Sequence, residues 1–455
     1  MILDSTDTIC ALSTANGMGA IAVIRVSGSD AFSIVSSVFS KEIVNQQSHT
    51  AHFGTIKEGK ELIDEVLITV FKNPASFTGE DVIEIACHGS VYIQQQILKL
   101  LLSNGCRLAK AGEFSMRAFA NGKFDLSQAE AISDLISSTT EASHKLAMQQ
   151  MRGGFSDEIN LLREELVNFA SLIELELDFS EEDVEFADRT QLNELLERIS
   201  IKLRSLIDSF SYGNVIKNGV PISIIGAPNS GKSTLLNKFL KEEKAIVSNI
   251  AGTTRDIVED EIVIEGIKYR FIDTAGIRDT ENEIEKMGIQ RAIEKAGKSA
   301  IILYLFDASE ELDKVKQEFE LLKSQLTDDT IDVIWVANKI DLLEDKSKLS
   351  GIDCIKISAS EGENLEELTH KIIEITNSKQ SQEQQVVVTN VRHFEALTKA
   401  NEAIQQVTNA LEMGIPGDLV AIDIRQALHF LGEITGEIST DELLGNIFSK
   451  FCIGK

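Results

Sequence analysis

The feature that most constrains this chain is a glycine-rich segment, Gly226–Ser233, which reads Gly-Ala-Pro-Asn-Ser-Gly-Lys-Ser. It follows the apolar run Ile222–Ile225 and precedes a stretch with helical spacing that begins at Thr234. This is the pattern GxxxxGK[ST] between a strand and a helix, the setting that the pattern requires. Such a loop turns backbone N–H groups towards phosphate oxygens, and the helix N-terminus adds partial positive charge. The segment therefore predicts a phosphate-binding loop.

Short apolar runs recur beyond this loop and alternate with helix-like segments, which is typical of a doubly wound parallel sheet. The expected strands are Ile222–Ile225, Tyr269–Ile272, Ala300–Phe306, Val333–Ala337 and Cys354–Ile357.

The flanking regions have other patterns. Strand-like runs mixed with a helical stretch indicate an α+β domain over residues 1–120, and helical spacing dominates 121–215 and 380–455. A chain of 455 residues has room for about three domains. We therefore expect a multidomain α+β and α/β fold, in which a P-loop domain at 216–379 is inserted between two parts of a helical domain.

The charge balance restricts the partners. Apolar residues make up 43% and charged residues 25% of the chain, as in a soluble globular protein, but the formal net charge is −28. A field of that sign repels nucleic acid and acidic membranes. Residues 1–125 are closest to neutral, with 10 basic and 13 acidic groups. A nucleic-acid partner must therefore find a local basic patch.

Cysteine usage and hydropathy favour a cytoplasmic location. Five cysteines, an odd number without a CxxC pair, argue against a disulfide framework or a zinc cluster. The longest apolar run, Ala300–Phe306, is far shorter than the ~18 residues of a membrane-spanning helix. The first ten residues carry Asp4 and Asp7 and no basic cluster, so we expect neither a secretory signal nor a membrane partner.

A second motif indicates which nucleotide the loop binds. Asn338-Lys339-Ile340-Asp341 follows the apolar run Val333–Ala337, and Ser358-Ala359 follows the next one. The Asp341 carboxylate is placed to accept hydrogen bonds from guanine N1–H and the 2-amino group. Adenine offers neither donor and would leave a desolvated carboxylate unpaired. GTP is therefore the expected nucleotide, and a P-loop kinase or ATPase is disfavoured.

The phosphates and Mg²⁺ have their own candidate residues. Lys232 is expected to reach the β and γ phosphates, and the Ser233 hydroxyl to hold Mg²⁺. In the Asp-Thr-Ala-Gly segment that begins at Asp273, that carboxylate is expected to bind Mg²⁺ through water, and the N–H of Gly276 to contact the γ-phosphate. Thr254 is expected to close over the ion.

This order of motifs over 221–379 is that of Ras-like and translation-factor-type GTPases, with one departure. The position of the water-orienting glutamine is Ile277, which cannot orient water. Hydrolysis then needs another group to position water and a positive charge in place of an arginine finger. Arg255 and Arg278 are candidates for that charge, and a bound cation with Asn229 as a ligand is the alternative.

Motifs elsewhere extend a resemblance over essentially the whole chain. They are Gly19–Gly28, Phe77–Glu84 with His88–Gly89, Gly112–Phe119, Asn121–Lys123, Leu126–Ile132, Ala251–Asp256 and Cys452–Lys455. With them the chain resembles the MnmE (TrmE) family, the GTPases of tRNA uridine-5-carboxymethylaminomethyl modification.

This resemblance implies a function. A K⁺-dependent GTPase, working with the FAD- and NADH-dependent partner MnmG in a heterotetramer or larger complex, adds a carboxymethylaminomethyl or aminomethyl group to C5 of the wobble uridine of tRNA. A tetrahydrofolate derivative (5-formyl- or methylene-tetrahydrofolate) supplies the one-carbon unit, and glycine or ammonium supplies the nitrogen. The N-terminal domain is expected to bind the folate and to form a homodimer. The alternative is an RNA-binding ribosome-assembly GTPase switch without transfer chemistry.

The resemblance also assigns residues. Folate contacts are expected at Arg25, Glu84, Lys123 and Lys455, Mg²⁺ ligands at Ser233 and Thr254, and K⁺ ligands at Asn229, Ser248, Ile250 and Thr253. The expected GTP-binding residues are Asn229, Ser230, Gly231, Lys232, Ser233, Thr234, Ser248, Asn249, Ile250, Ala251, Gly252, Thr253, Thr254, Asp273, Thr274, Ala275, Gly276, Asn338, Lys339, Asp341, Ser358 and Ala359.

Three residues are catalytic candidates: Lys232, Glu285 and Cys452. Glu285 aligns with the water-positioning glutamate of the family, and the nearby Glu283 is the competing assignment. Cys452 is either a nucleophile, since a thiolate is the strongest protein nucleophile, or a residue that shapes the folate and tRNA site or packs the tail.

Overall fold

The computed structural model describes residues 7–178, 189–242, 260–272, 297, 299–324, 331–343, 349, 351–378, 386–413, 415 and 417–454. The chain divides into two compact units. The first comprises Met1–Ser137, Ala147–Leu203 and Glu395–Lys455, and the second comprises Ser138–Leu146 and Arg204–Phe394. The domain boundaries expected from the sequence stay predictions.

The N-terminal part of the first unit is built on one sheet. Its strands are Ile9–Leu12 (β1), Ile21–Ser27 (β2), Thr50–Glu58 (β3), Glu61–Phe71 (β4), Val82–His88 (β5) and Arg107–Leu108 (β6). The six strands lie in the order β3-β4-β5-β2-β1-β6. Neighbours pair antiparallel except β1 and β6, which are parallel.

One face of this sheet holds the core of the region. The helices Ala31–Val38 (α1) and Val91–Ser103 (α2) pack there against alternate strand residues such as Ile24 and Ile85, which are fully buried. Because successive side chains of a strand point to opposite faces, the residues between them, Arg25 among them, stand on the other face.

Helices follow the sheet along the chain. They are Glu113–Ala120 (α3), Leu126–Ser137 (α4), Glu141–Met151 (α5), Gly154–Asp178 (α6) and Arg189–Asn218 (α7). No proline occurs between Pro74 and Pro221, which suits helices as long as the 30 residues of α7. Within the part of the chain that the structure describes, no helix is both long and apolar enough to cross a membrane.

The second unit contains a mostly parallel sheet. Its strands are Val220–Ile225 (β7), Asp260–Ile264 (β8), Ile267–Phe271 (β9), Ile301–Asp307 (β10), Asp332–Asn338 (β11) and Ile355–Lys356 (β12), and its helices include Lys232–Glu242 (α8), Leu312–Lys323 (α9) and Leu365–Ser378 (α10). The order is β12-β11-β10-β7-β9-β8. The pairing is parallel except at β8, which pairs antiparallel with β9.

Burial on both faces explains the apolar runs of this sheet. The first six residues of β10 are all buried, as in a strand covered by helices on both sides. Because the parallel strands point the same way, β7, β10 and β11 deliver their last residues to one edge. The phosphate loop follows β7, and Asp307 and Asn338 end the other two strands.

Three helices complete the chain: Val391–Glu412 (α11), Gly417–Thr435 (α12) and Asp441–Phe448 (α13). In the first unit α12 packs against α6, and α13 packs against α3. The ring of Phe448 joins the second contact, with its centroid 6.4 Å from that of Phe119 and 5.3 Å from that of Phe451.

The residues after α13 return to the N-terminal sheet. The N–H of Gly112 donates to the Cys452 carbonyl at 3.3 Å, and the Ser13 hydroxyl donates to the Gly454 carbonyl at 3.2 Å. Gly454 has φ +95°, and a Cβ there would lie 2.2 Å from the Leu12 carbonyl oxygen. Only glycine permits this approach, so the terminal motif is fitted to the end of β1.

Candidate functional site

The phosphate loop is held by close backbone contacts. A Cβ on Gly226 would lie 1.8 Å from the carbonyl oxygen of Leu305 in β10. Gly231 has φ +99°, and a Cβ there would lie 2.1 Å from Nδ2 of Asn338. The two glycines that define the motif are therefore required by packing as well as by the turn.

Lys232 begins α8, and its side chain folds back over the loop. Its Nζ donates to the carbonyls of Gly226 at 2.9 Å and Ala227 at 2.7 Å. Burial lowers the pKa of this ammonium, because a desolvated cation is less stable than an exposed one. A phosphate oxygen beside it would offset that cost with a charge-assisted hydrogen bond.

The other loop residues differ in exposure. Ser230 is buried, Ser233 is half-buried in the first turn of α8, and Asn229 and Thr234 are exposed. Asn229 has φ 61°, a left-handed conformation that asparagine tolerates better than most residues. The α8 N-terminus suits an anion, and the Ser233 hydroxyl fits the oxygen ligand that Mg²⁺ requires.

Asn338 ties the base-binding motifs to the phosphate loop. Its Nδ2 donates to the Ser230 carbonyl at 2.8 Å, and its Oδ1 accepts from the N–H of Ala359 at 3.0 Å. The side chain is 2% exposed, so both bonds lie in the interior, where they are strongest. Three segments far apart in sequence are thereby fixed against one another.

The residues after Asn338 present the Asp341 carboxylate. Lys339 has φ 66° and precedes a short 3-10 helix, Ile340–Leu342. Asp341 lies in that helix with its side chain exposed, whereas Ser358 is fully buried. The carboxylate is therefore accessible to a base, and the buried serine supports its loop.

Asp307 is a neighbour that the motifs do not contain. It ends β10, beside Asn338 in the register, and its Oδ2 accepts from Lys339 Nζ at 2.7 Å. Burial raises the pKa of this carboxyl, but the hydrogen bonds from Lys339 and Ser309 outweigh burial and lower it. A search for acidic residues at the carboxyl ends of the apolar runs would have found it.

Several predicted residues lie outside the described part of the chain. They are Ser248, Asn249, Ile250, Ala251, Gly252, Thr253, Thr254, Arg255, Asp273, Thr274, Ala275, Gly276, Arg278, Glu283, Glu285 and Lys455. Of the expected K⁺ ligands only Asn229 is described, and of the expected Mg²⁺ ligands only Ser233. Among described residues, no group of three or more His, Cys, Asp and Glu side chains is arranged to hold a metal.

The first unit brings together two of the predicted folate residues. Arg25 on β2 and Glu84 on β5 are partners in the strand register, and Arg25 Nε and Nη2 donate to Glu84 Oε1 at 3.0 and 2.8 Å. The Arg25 Cζ lies 5.0 Å from the ring centroid of Phe77 and 5.6 Å from that of Phe114. A forked cation, a carboxylate and two rings on one sheet face suit a flat heterocycle with N–H donors and an acidic tail.

The other two described candidates lie on segments that border this face. Lys123 is exposed, and its Nζ donates to the Pro74 carbonyl at 3.0 Å, three residues before Phe77. Cys452 is an exposed free thiol, and its carbonyl accepts from the N–H of Gly112, the residue before α3. Since α3 carries Phe114, the terminal motif touches the helix that lines the Arg25 side chain.

A partly buried ion-pair network supports this site, and sequence patterns gave no sign of it. Arg117 of α3, 7% exposed, donates to Glu80 at 3.2 Å, to Asp7 at 2.8 Å and to Glu113 at 3.2 Å. Arg107 also pairs with Asp7 and Glu113.

This network changes the acidity of its members. The Arg107 hydrogen bond lowers the pKa of Asp7 to about 2. Burial raises the pKa of Glu113, but the bonds from Arg107 and the Lys110 N–H reverse that, so it lies below its ordinary value. Glu80 also accepts from the Ser27 hydroxyl at 2.6 Å, so the network joins α3 to the end of β2.

Comparison with known proteins identifies the family. Two family models match, GTP-binding protein TrmE N-terminus over residues 8–123 and MnmE helical domain over residues 126–452. The tRNA modification GTPase MnmE of Flavobacterium psychrophilum is 54% identical over 99% of both chains. That of Cytophaga hutchinsonii is 55% identical over 100% of this chain and 99% of its own, and that of Bacteroides thetaiotaomicron is 50% identical over 99% of both. These matches confirm the expected resemblance and the expected multidomain fold class: the chain belongs to the MnmE family of tRNA modification GTPases.

Proposed function

We propose that this GTPase hydrolyses GTP in a K⁺-dependent manner and serves the addition of a carboxymethylaminomethyl or aminomethyl group to C5 of the wobble uridine of tRNA. The observation that carries the nucleotide half is the Asn338 side chain, which fixes the phosphate loop and the Ser358–Ala359 loop around an exposed Asp341. The transfer half is supported by the Arg25–Glu84 pair and by family membership.

On the nucleotide side, each group has one task. The phosphate loop and the α8 N-terminus surround the phosphates with N–H donors, and Lys232 exchanges its two carbonyl partners for phosphate oxygens. Asp341 accepts from guanine N1–H and the 2-amino group. Ser233 and Thr254 hold Mg²⁺, and Asp273 acts on it through water.

Hydrolysis needs a positioned water and added positive charge. Glu285 positions the attacking water, because Ile277 occupies the usual glutamine position and has no polar group. Asn229, Ser248, Ile250 and Thr253 offer oxygen ligands to K⁺, which supplies the charge that an arginine finger supplies elsewhere.

On the transfer side, the proposed cofactor is a tetrahydrofolate derivative. Glu84 accepts from the N–H donors of its pterin ring, while Arg25, Lys123 and Lys455 meet its glutamate tail. Cys452, an exposed thiol, keeps its proposed roles as a nucleophile or as a residue that shapes the folate and tRNA site or packs the tail. A homodimer, the flavin-dependent partner MnmG and tRNA complete the proposed assembly, in the cytoplasm.

Phosphate release measured in KCl and in NaCl tests the nucleotide half. We expect clearly faster hydrolysis in K⁺, and Asn229→Ala should remove the difference between the salts while Asn237→Ala, on the exposed side of α8, should keep it. Equal slow rates in both salts would refute the K⁺ site.

Mass analysis of tRNA nucleosides from cells that contain either the wild-type protein or the Arg25→Ala variant tests the transfer half. We expect loss of the modified wobble uridine with Arg25→Ala and retention with Lys57→Ala, an exposed substitution on β3. Unchanged nucleosides, together with no binding of a reduced folate to the purified protein, would favour the ribosome-assembly alternative.

A further inference from the structure

Asp307 and Lys339 form an ion pair at the base end of the nucleotide site. The Lys339 ammonium donates to Asp307 Oδ2 at 2.7 Å, and the two side chains are 30% and 17% exposed. The other carboxylate oxygen, Oδ1, accepts from the N–H of Ser309 at 2.9 Å and from its hydroxyl at 2.7 Å. Ser309 therefore fixes this carboxylate independently of Lys339.

The pairing of Lys339 with Asp307 matters because Asp341 lies only two residues after Lys339. Asp341 belongs to the 3-10 helix that Lys339 precedes, and its side chain is exposed. Among the described residues no hydrogen bond or ion pair engages its carboxylate. A lysine ammonium sits on a flexible four-carbon stem, so a Lys339 released from Asp307 would have the carboxylate two residues along the chain as a candidate partner.

Such a pairing would obstruct recognition of the base. The Asp341 carboxylate can select guanine only if its oxygens are available to N1–H and the 2-amino group, because the selectivity of such a site rests on satisfying a specific polar pair. An ammonium on the same oxygens would compete with both donors. Lys339 has φ 66°, and its ammonium bonds to Asp307 instead.

We propose that Asp307 is a positioning residue for guanine selection: it holds the Lys339 ammonium away from Asp341 and so keeps that carboxylate free for the base. This inference rests on the proposed guanine contact of Asp341 and adds a residue outside the nucleotide-binding motifs. The effect of Asp307 on the nucleotide passes entirely through Lys339.

The test is the affinity of the purified full-length protein for GTP and for inosine triphosphate, which lacks the 2-amino group. Asp307→Asn keeps an oxygen for Ser309 but loses the charge that holds Lys339. We expect the GTP to ITP affinity ratio to fall roughly twofold to fivefold, the size of one ion pair at a partly exposed site. If Asp307 had a merely structural role, the substitution would weaken the binding of GTP and of ITP equally. The affinity ratio would then stay unchanged, and this result would overturn the proposal.

A second variant separates the charge from the fold. Lys339→Met keeps an apolar stem and removes the competing ammonium, so Asp307→Asn should have no further effect on the ratio in that background. A ratio that falls by the same factor in both backgrounds would show that Asp307 does not act through Lys339. Glu310→Gln, an acidic neighbour beyond the Ser309 turn, is the matched control and should leave the ratio at the wild-type value.

Asp341→Ala distinguishes the positioning role of Asp307 from the guanine contact of Asp341. If it lowers the GTP to ITP ratio and Asp307→Asn does not, the positioning role is wrong and the guanine contact stands. If Asp341→Ala leaves the ratio unchanged, the guanine contact itself is wrong, and the positioning role is overturned with it.

Discussion

The two units build their sites from different material. In the second unit the candidate nucleotide site is a glycine-rich loop with a few side chains at the carboxyl edge of a parallel sheet. In the first unit the site is made of side chains on one face of an antiparallel sheet, where Arg25 and Glu84 meet across two strands. A loop of consecutive residues defines the site of the second unit, whereas the site of the first unit depends on strand register.

This difference affects how each site tolerates change. The phosphate loop is constrained by glycines that no side chain can replace, because Gly226 and Gly231 lie against Leu305 and Asn338. The sheet-face site is constrained by charges, since Arg117, Asp7 and Glu80 must remain paired. Substitutions should therefore act in the second unit through geometry and catalysis, and in the first through electrostatics and stability.

The largest effect is expected for Lys232→Ala. Removing a positioned cation at the transferred phosphate should lower the rate of GTP hydrolysis by about 10²-fold or more, measured as phosphate release. Lys241→Ala, exposed in the last turn of the same helix, is the control and should keep the wild-type rate. A Lys232→Ala protein that retains its rate would mean that the Lys232 ammonium does not act on the transferred phosphate.

Arg117→Met should give the next largest effect, on stability instead of on catalysis. Removing this side chain should cost about 2 kcal/mol, since Glu113 is 3% exposed but Glu80 and Asp7 are 24% and 40% exposed, and denaturant unfolding of the first unit should shift to lower concentration. Arg107→Met should cost less, because that side chain is 37% exposed. Hydrolysis of GTP should be unchanged in both variants; a parallel loss of hydrolysis would contradict the separation of the two sites.

Arg25→Ala should weaken binding of a reduced folate by roughly tenfold. A hydrogen bond to a charged group is worth about 1.5 kcal/mol or more, and the substitution also removes the partner of Glu84. Titration followed by calorimetry measures the change. Glu65→Gln, an exposed carboxylate on β4, should bind the folate as the wild type does, and a similar loss there would indicate a general charge effect.

The smallest effect is expected on the free energy of unfolding at acid pH. Asp7 has its pKa lowered from 3.8 to about 2 by Arg107, with burial opposing and Arg117 assisting. A lowered pKa means that the stabilisation is present above the ordinary value and is lost as the pH falls through the folded-state value. Wild-type and Asp7→Asn unfolding free energies should therefore differ above about pH 4 and converge near pH 2. A difference that persists at the acid end would contradict this assignment.

The sequence predicted the structure well where the residues of a feature are consecutive in the chain. The runs that become β7, β10 and β11 were recognisable because strands buried on both faces are continuously apolar, and the phosphate loop follows one of them directly. In contrast, Thr50–Glu58 forms β3 although its residues include His52, Gly54 and Lys57. Its pairing with β4, and not its own hydropathy, makes it a strand.

For the sites, the sequence supplied residues but not their partners. Arg25 and Glu84 were expected to contact a ligand, yet their mutual pairing depends on a register that only the folded sheet defines. The Arg117 network joins residues more than a hundred positions apart, such as Asp7, so no local pattern contains it. Asp307 is an intermediate case, because its place at a strand end is visible in the sequence and its bond to Lys339 is not.

The attachment of Gly454 to Ser13, 441 positions earlier, has a consequence for biosynthesis. A ribosome that has translated residue 394 has made every segment of the second unit, whereas Ser13 still lacks its Gly454 partner. Domains fold as they are made, so the GTP-binding unit can form before the contact between Ser13 and Gly454, which needs a later segment of the chain.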